Sequence, residues 1–206
     1  ATTEIYPLSL HDALPICSEG ACRLPQPGQG SLVVTELMTT PILDLSPTTA
    51  QWIEVYNPTN STFNLHGCRL SGNSGVRIIS EELLSFPHQY MLFARSATQN
   101  GGLPSADLVF DFSLSIVSDT LSLTCGTATV DTVSYSEPKG FPYVEGKSLN
   151  LSPAAQSAIG NDAGTNWCPG STLYYTGTTG ASNHYGTPKQ ANPVCPKTIT
   201  LDWCRL

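Results

Sequence analysis

The sequence predicts an all-β protein, a sandwich or a barrel built from about nine short strands. Only 12% of the 206 residues are charged, and 17 glycines and 16 prolines interrupt the chain. This composition favours short strands and turns over long helices. Within the segment 51–57 the side chains alternate, which places Ile53 and Val55 on one face of a strand. Trp52 and Glu54 fall on the opposite face.

Hydrophobic periodicity gives the positions of the other strands. The segments that read as strands are 32–38, 51–57, 63–65, 68–71, 76–79, 90–94, 108–110, 120–125 and 129–135, with edge strands at 147–151 and 166–168. The inward-facing positions of these segments predict a common core. Its members are Val34, Ile53, Val55, Leu70, Leu92, Phe93, Leu121, Leu123 and Val133.

The first residues of the chain are interpreted separately from the domain. Residues 1–16 resemble the conceptual translation of a common short-read sequencing adapter and depart from it only at Pro7. We therefore expect an assembly artefact there, with no packed role. Residues 17–30, rich in proline and glycine, are predicted to be a linker. Residues 193–206 are predicted to be a C-terminal tail.

Charge and hydropathy narrow the possible partners. The net charge of −7 disfavours binding to nucleic acid, because an acidic surface repels phosphates. No apolar run reaches the roughly 18 residues that a membrane-spanning helix requires. We also find no motif for a cofactor or a metal ion. The sequence therefore favours a protein or carbohydrate surface as partner.

Seven cysteines predict disulfide bonds and an oxidising compartment. None of them forms a C-x-x-C pair, which argues against a zinc or thioredoxin-type motif. Cys68 and Cys125 lie near strand ends and share the apolar face, so they are predicted to pair. Cys168 and Cys195 bracket a segment with little core and are predicted to form a second bond. These bonds indicate an extracellular or cell-surface protein.

The remaining cysteines leave the pairing open. Cys17 with Cys22 is one option, and Cys22 with Cys204 is another.

Six sequence blocks, in order, resemble the lamin tail domain family. They are LVVTELM (32–38), WIEVYNP (52–58), LHGCRLS (65–71), SDTLSL (118–123), VDTVSY (130–135) and GTPKQAN (186–192). The resemblance implies an immunoglobulin-like β-sandwich over residues 31–192. The chain departs from the family at Cys68, where a tryptophan is frequent, and in a longer stretch from Asp162 to Tyr185.

The resemblance also implies a function without catalysis. Bacterial members of the family recur in exported, multi-domain proteins beside hydrolases or adhesive modules, and the family has no catalytic motif of its own. We therefore expect a non-catalytic binding or adhesion module of a larger protein. The alternative is an accessory domain of a secreted hydrolase whose catalytic domain is missing from this fragment. DNA binding by analogy with lamins is disfavoured by the charge.

A segment rich in glycine, threonine and tyrosine is the candidate binding loop. It contains Tyr174, Tyr175 and Tyr185. Tyrosine supplies contact area at a low entropic cost, so the loop could contact protein or carbohydrate. The favoured alternative is a surface loop whose tyrosines are simply packed.

Two acidic residues on neighbouring strands have two interpretations. Glu36 and Glu54 could bind a cation together. However, acids on strands lack the closely spaced oxygen ligands of a calcium loop. We therefore favour a partly buried carboxylate at Glu54 that accepts hydrogen bonds from backbone N–H groups of loops.

Serine and histidine residues give no catalytic pattern. Ser74 lies in a turn, 72–75, that differs from the G-x-S-x-G motif of hydrolases. His66, His88 and His184 fall in predicted turns without metal-ligand spacing. We expect an ordinary hairpin turn and solvated histidines, and predict that the domain is not an enzyme.

Overall fold

The computed structural model describes residues 16–18, 21–42, 49–177 and 182–196, and the fold is all-β. The strands are β1 (Ile16–Ser18), β2 (Ala21–Arg23), β3 (Val33–Met38), β4 (Trp52–Tyr56), β5 (Phe63–Asn64), β6 (Arg69–Gly72), β7 (Gly75–Ile78), β8 (Leu84–Ser85), β9 (Tyr90–Ala94), β10 (Leu108–Val109), β11 (Ser118–Cys125), β12 (Ala128–Ser136), β13 (Leu149–Leu151), β14 (Trp167–Pro169), β15 (Leu173–Tyr175) and β16 (His184–Tyr185).

Helical structure within the described ranges is limited to single 3₁₀ turns. These turns lie at Glu137–Lys139, Pro153–Ala155, Gly160–Asp162 and Gly164–Asn166. None of the helices in those ranges is long and apolar enough to cross a membrane.

Two larger sheets organise the molecule. The six-stranded sheet has the order β10-β9-β4-β3-β13-β14, and the four-stranded sheet has the order β12-β11-β6-β7. Neighbouring strands in both sheets are antiparallel, except for the short parallel pair β9 and β10. One irregularity interrupts β3, because Val34 pairs with Val55 while Glu36 pairs with Glu54, and Thr35 is the extra residue.

The main hydrophobic core draws residues from both sheets, which is consistent with a β-sandwich. The six-stranded sheet contributes Val34, Ile53, Val55 and Phe93, and the four-stranded sheet contributes Leu70, Leu121, Leu123 and Val133. All nine residues predicted for the core are buried. The alternation of strand side chains is the reason, since it directs every second residue of a strand to the same face.

The position of Leu92 differs from the one predicted, because Leu92 is buried outside the main core. Neighbours in a strand face opposite sides of the sheet, so Leu92 and Phe93 cannot share one core. Leu92 lies instead in a second, smaller cluster with Met38, Trp52 and Ala94. Leu103, Ala106 and Tyr174 pack against this cluster, so the outer face of the six-stranded sheet is covered as well.

Two disulfide bonds join the same pairs that the sequence predicts. Cys68 is bonded to Cys125 with 4.2 Å between their Cα atoms, and links the start of β6 to the end of β11. Cys168 is bonded to Cys195 with 5.6 Å between their Cα atoms. The second bond ties the C-terminal segment to β14. The side chains of Cys17, Cys22 and Cys204 lie outside the described residues.

The N-terminal segment differs from the predicted linker. Strands β1 and β2 form a small hairpin in which Cys17 pairs with Cys22 through the backbone. Farther along, Asn64 N–H donates to the Pro25 carbonyl, and Gly30 N–H donates to the Val130 carbonyl. Residues 24–30 therefore lie against the domain. The predicted adapter segment falls outside the described residues, except for Ile16.

Candidate functional site

A groove of about 600 Å³ opens at one end of the two main sheets. Its lining residues are Thr39, Ile116, Val117, Ser118, Tyr135, Ser136, Glu137, Pro138, Phe141, Pro142, Tyr143 and Leu149. Three of them, Tyr135, Phe141 and Leu149, are buried members of the main core. The groove is therefore an opening in the protein surface through which the hydrophobic core can be reached. We call it the end groove.

The rim of the end groove exposes large apolar side chains to solvent. Ile116 is 51% exposed, Val117 is 72% exposed and Tyr143 is 55% exposed. Glu137 is the single charged residue among the lining residues. Contiguous apolar surface around a concave site is typical of places that bind a ligand or a protein partner.

Local interactions hold the wall of the end groove in place. A 3₁₀ turn follows β12, and Gly140 N–H donates to the Glu137 carbonyl. The Phe141 ring then packs on Trp167, with 5.6 Å between ring centroids. The Tyr135 hydroxyl donates to the Ser115 carbonyl over 2.7 Å, which fixes the segment before β11.

Sequence reasoning missed the end groove. Its lining comes from the ends of strands and the turns between them, and periodicity predicts only the faces of strands. The available signal was the pair Ile116 and Val117, two β-branched apolar residues that precede a strand outside its alternating pattern. Pro138 and Pro142 around Phe141 were a second sign of a rigid apolar turn.

The three tyrosines of the predicted binding loop lie in different environments. Tyr174 packs edge-on against Trp52 at 5.9 Å, and its hydroxyl accepts a hydrogen bond from the Trp52 indole N–H. Burial raises the pKa of the Tyr174 hydroxyl well above its usual range. Tyr175 packs on His184, whereas Tyr185 lies under the Lys147 ammonium, 5.2 Å from the ring centroid. Ligand binding by these tyrosines stays a prediction.

His184 is not the solvated turn residue that the sequence suggests. It lies in β16 and is fully buried. Rings of Tyr174 and Tyr175 pack against it, with centroids 5.9 and 5.2 Å away, and its Nε2 accepts a hydrogen bond from Ile42 N–H. This hydrogen bond gives Nε2 a partner, so the nitrogen can be buried without the penalty of an unsatisfied polar atom. His66 and His88 are exposed in turns, as predicted.

Glu36 and Glu54 form a buried pair on the outer face of the six-stranded sheet. The two residues lie directly opposite each other on β3 and β4, and both are fully buried. The Thr187 backbone N–H donates to Glu36, and the Lys189 backbone N–H donates to Glu54 Oε2 over 2.8 Å. The hydrogen bond to Glu54 confirms the interpretation in which a loop N–H group binds this carboxylate, but Glu54 is fully buried and not partly buried as expected.

Hydroxyl groups complete the surroundings of the acid pair. Ser148 Oγ lies 2.5 Å from Glu36 Oε1, and the Thr187 hydroxyl donates to Glu36 Oε2 over 3.0 Å. The Thr35 hydroxyl donates to Glu54 Oε1 over 2.8 Å. Thr35 is the extra residue of the β3 irregularity, so the bulge places a donor beside the pair.

Burial dominates the electrostatics of the pair. Loss of solvent raises the pKa of Glu36 to about 7, against the opposing effect of hydrogen bonds from Ser148 and Thr187. Burial also raises the pKa of Glu54, and the nearby charge of Glu36 raises it further.

Replacing Gly186 with alanine is expected to destabilise the protein by about 2 kcal/mol, because the new methyl group overpacks the acid site. A Cβ at Gly186 would lie 2.5 Å from Glu36 Oε1 and 2.8 Å from Ser148 Oγ. Trp52 Cζ2 would be only 3.1 Å away, so the methyl group would crowd the indole ring as well. Urea unfolding followed by tryptophan fluorescence measures the change, and an unaltered midpoint would contradict the packing.

The structure also places Ser74 and the side chains that could bind a metal ion. The Ser74 hydroxyl donates to the Ser113 carbonyl and accepts from Ser113 N–H, at 2.6 and 2.9 Å. Gly72 and Gly75 flank it as a strand pair, so the segment is the hairpin turn that was predicted. Across the described ranges, no group of three or more histidine, cysteine or acidic side chains is placed to hold a metal ion.

Comparison of the chain with protein-family models, with curated proteins and with solved structures finds no match. The resemblance to lamin tail domains thus stays a hypothesis that depends on the six sequence blocks. The functional proposal therefore depends on the geometry of the site.

Proposed function

We propose that this protein is a non-catalytic binding module, extracellular or at the cell surface, whose end groove takes apolar side chains of a partner protein. The exposed apolar rim over an opening into the core carries this proposal. Val117 and Tyr143 would leave water on binding, which is the usual source of affinity at such a surface.

Charge around the end groove favours a basic partner segment. Glu137 lies among the apolar lining residues, and the chain as a whole carries a net charge of −7. A partner with a lysine or arginine beside its apolar side chain complements both features. Lys139, in the same 3₁₀ turn, does not line the groove and would repel such a charge if it approached from that side.

The two disulfide bonds support the proposed location, since they are typical of extracellular proteins. An immunoglobulin-like arrangement and membership of the lamin tail family are part of the same proposal. The two packed sheets and the order of the six blocks support them. In the alternative role, an accessory domain of a secreted hydrolase, the groove would bind the missing catalytic domain.

Selection of peptides from a phage-displayed random library on the immobilised protein tests the proposal. We expect selected sequences to share an apolar residue next to lysine or arginine. Val117→Ser removes an apolar side chain from the rim without adding charge, and is expected to weaken binding of a synthetic consensus peptide about tenfold.

Ile159→Ser is the matched control, because Ile159 is 85% exposed and does not line the groove. Its affinity for the peptide should equal that of the wild-type protein. Equal affinity of Val117→Ser and wild type would overturn the assignment of the groove. Binding of an oligosaccharide panel that is unaffected by Val117→Ser would instead favour the tyrosine segment.

A further inference from the structure

The Glu36–Glu54 pair has no cation to balance it within the described residues. The ion pairs found there are Arg77 with Glu81 and Lys189 with Asp107. Lys189 reaches Glu54 through its backbone N–H, while its ammonium lies 2.9 Å from Asp107. Two ionised carboxylates opposite each other in a dry site would repel strongly, so full ionisation is unfavourable there.

The hydrogen bonds around Ser148 indicate which oxygen of the acid pair carries a proton. The Ser148 hydroxyl has one proton, yet it faces Glu36 Oε1 at 2.5 Å, Asn150 Oδ1 at 2.6 Å and the Tyr185 carbonyl at 3.0 Å. All three are acceptors when Glu36 is ionised. A proton on Glu36 Oε1 would be donated to Ser148 Oγ, and Ser148 would then donate to Asn150. This arrangement gives the short Ser148–Glu36 contact a donor and leaves the serine proton for Asn150.

We propose that the Glu36–Glu54 pair holds at least one proton in the folded protein and acts as a pH-sensitive latch for the segment 186–192. The proton passes to solvent as the pH rises. The two carboxylates then repel each other, and water can reach them only if the covering segment moves. Thr187 and Lys189, whose N–H groups bind the pair, belong to this segment.

The direction of the pH effect follows from the raised pKa values. Glu36 has a pKa of about 7 in the folded protein, against an ordinary 4.5. Between these values the folded state binds more protons than the unfolded state. The stabilisation is therefore complete below about pH 4.5 and is lost as the pH rises through about 7. Glu54 acts in the same direction, and the two acids titrate as a coupled pair.

Other titratable and charged groups surround the pair. Tyr174 covers the outer face of the six-stranded sheet beside Trp52. Lys189, whose backbone N–H binds Glu54, forms an ion pair with Asp107. His184 lies in β16, immediately before the segment 186–192, and its Nε2 accepts a hydrogen bond from Ile42 N–H. A variant of Glu36 is needed to separate these contributions.

Amide hydrogen exchange of the full chain, measured at several pH values by mass spectrometry, tests the latch. After correction for the intrinsic exchange rate, protection of the amides of Thr187, Lys189 and Gln190 is expected to fall about tenfold between pH 5.5 and 8.5. The hairpin of β11 and β12 serves as an internal reference that should change much less.

Glu36→Gln cannot ionise, and its amide can donate to Ser148 as the protonated acid would. Its exchange at 187–190 should therefore lose most of the pH dependence, whereas the exposed control Glu82→Gln should keep it. Equal pH profiles of wild type and Glu36→Gln would overturn the latch. If Glu36→Gln fails to fold, carboxyl ¹³C titration of wild-type protein decides, because ionisation of both acids by pH 5 would contradict the proposal.

Discussion

Removal of the Cys68–Cys125 bond, by replacing both cysteines with alanine, is expected to lower the free energy of unfolding by about 4 kcal/mol. The two residues are separated by 57 positions in the chain. In the chain-entropy account, a bond across such a loop restricts the unfolded state strongly. The bond also joins the two inner strands of the four-stranded sheet, β6 and β11. Urea unfolding followed by fluorescence provides the measurement.

The second disulfide bond offers an internal comparison. Cys168 and Cys195 are separated by 27 positions, so removal of both should cost about 0.7 kcal/mol less than removal of the first pair. Alanine is preferred to serine because Cys68 and Cys125 are buried, and a hydroxyl there would need a partner. A variant without the Cys68–Cys125 bond that unfolds at the wild-type urea concentration would contradict the expected role.

Gly164→Ala is expected to cost about 3 kcal/mol, at the upper end of the range for overpacked sites. A Cβ at this position would lie 2.3 Å from the Lys139 carbonyl oxygen and 2.6 Å from Phe141 N. Both are backbone atoms, so a change of side-chain rotamer cannot relieve the contact. The segment 137–141 must move, and this segment forms one wall of the end groove. The variant should therefore also bind the consensus peptide more weakly.

Gly28→Ala is the matched control for this substitution. A Cβ at Gly28 would meet no atom within 4 Å. Its free energy of unfolding, obtained from thermal unfolding, should stay within about 0.5 kcal/mol of the wild-type value, the range of ordinary surface substitutions. If Gly164→Ala and Gly28→Ala unfold at the same temperature, the close contact between Gly164 and the 137–141 segment does not exist in solution.

Strand alternation made much of the fold predictable. Ile53 and Val55 point into the main core, and Trp52 and Glu54 point away from it, because side chains of a strand alternate strictly between two faces. The same regularity placed Cys68 and Cys125 on one face, and so predicted their bond. Alternation is a local property, so a single sequence reveals it.

The alternation of side chains along a strand does not reveal which elements cover the second face of a sheet. Leu92 was placed in the main core, yet it packs with Trp52 under Tyr174 on the outer face. The donors to the acid pair come from Thr187 and Lys189, far from Glu36 and Glu54 along the chain. Such contacts depend on tertiary structure, and neither propensity nor periodicity encodes them. The end groove was missed for the same reason.

The distance in sequence between Glu36 and Thr187 also bears on synthesis of the chain. Their hydrogen bonds span 151 positions, and Asn192 donates to the carbonyls of Thr35 and Leu151 across 157 and 41 positions. During translation Glu36 therefore emerges 151 positions before Thr187, one of the residues whose N–H groups bind the acid pair. A domain with such long-range contacts folds slowly, and its N-terminal strands cannot be completed first. We therefore expect the nascent chain to fold only after residue 192 has left the ribosome.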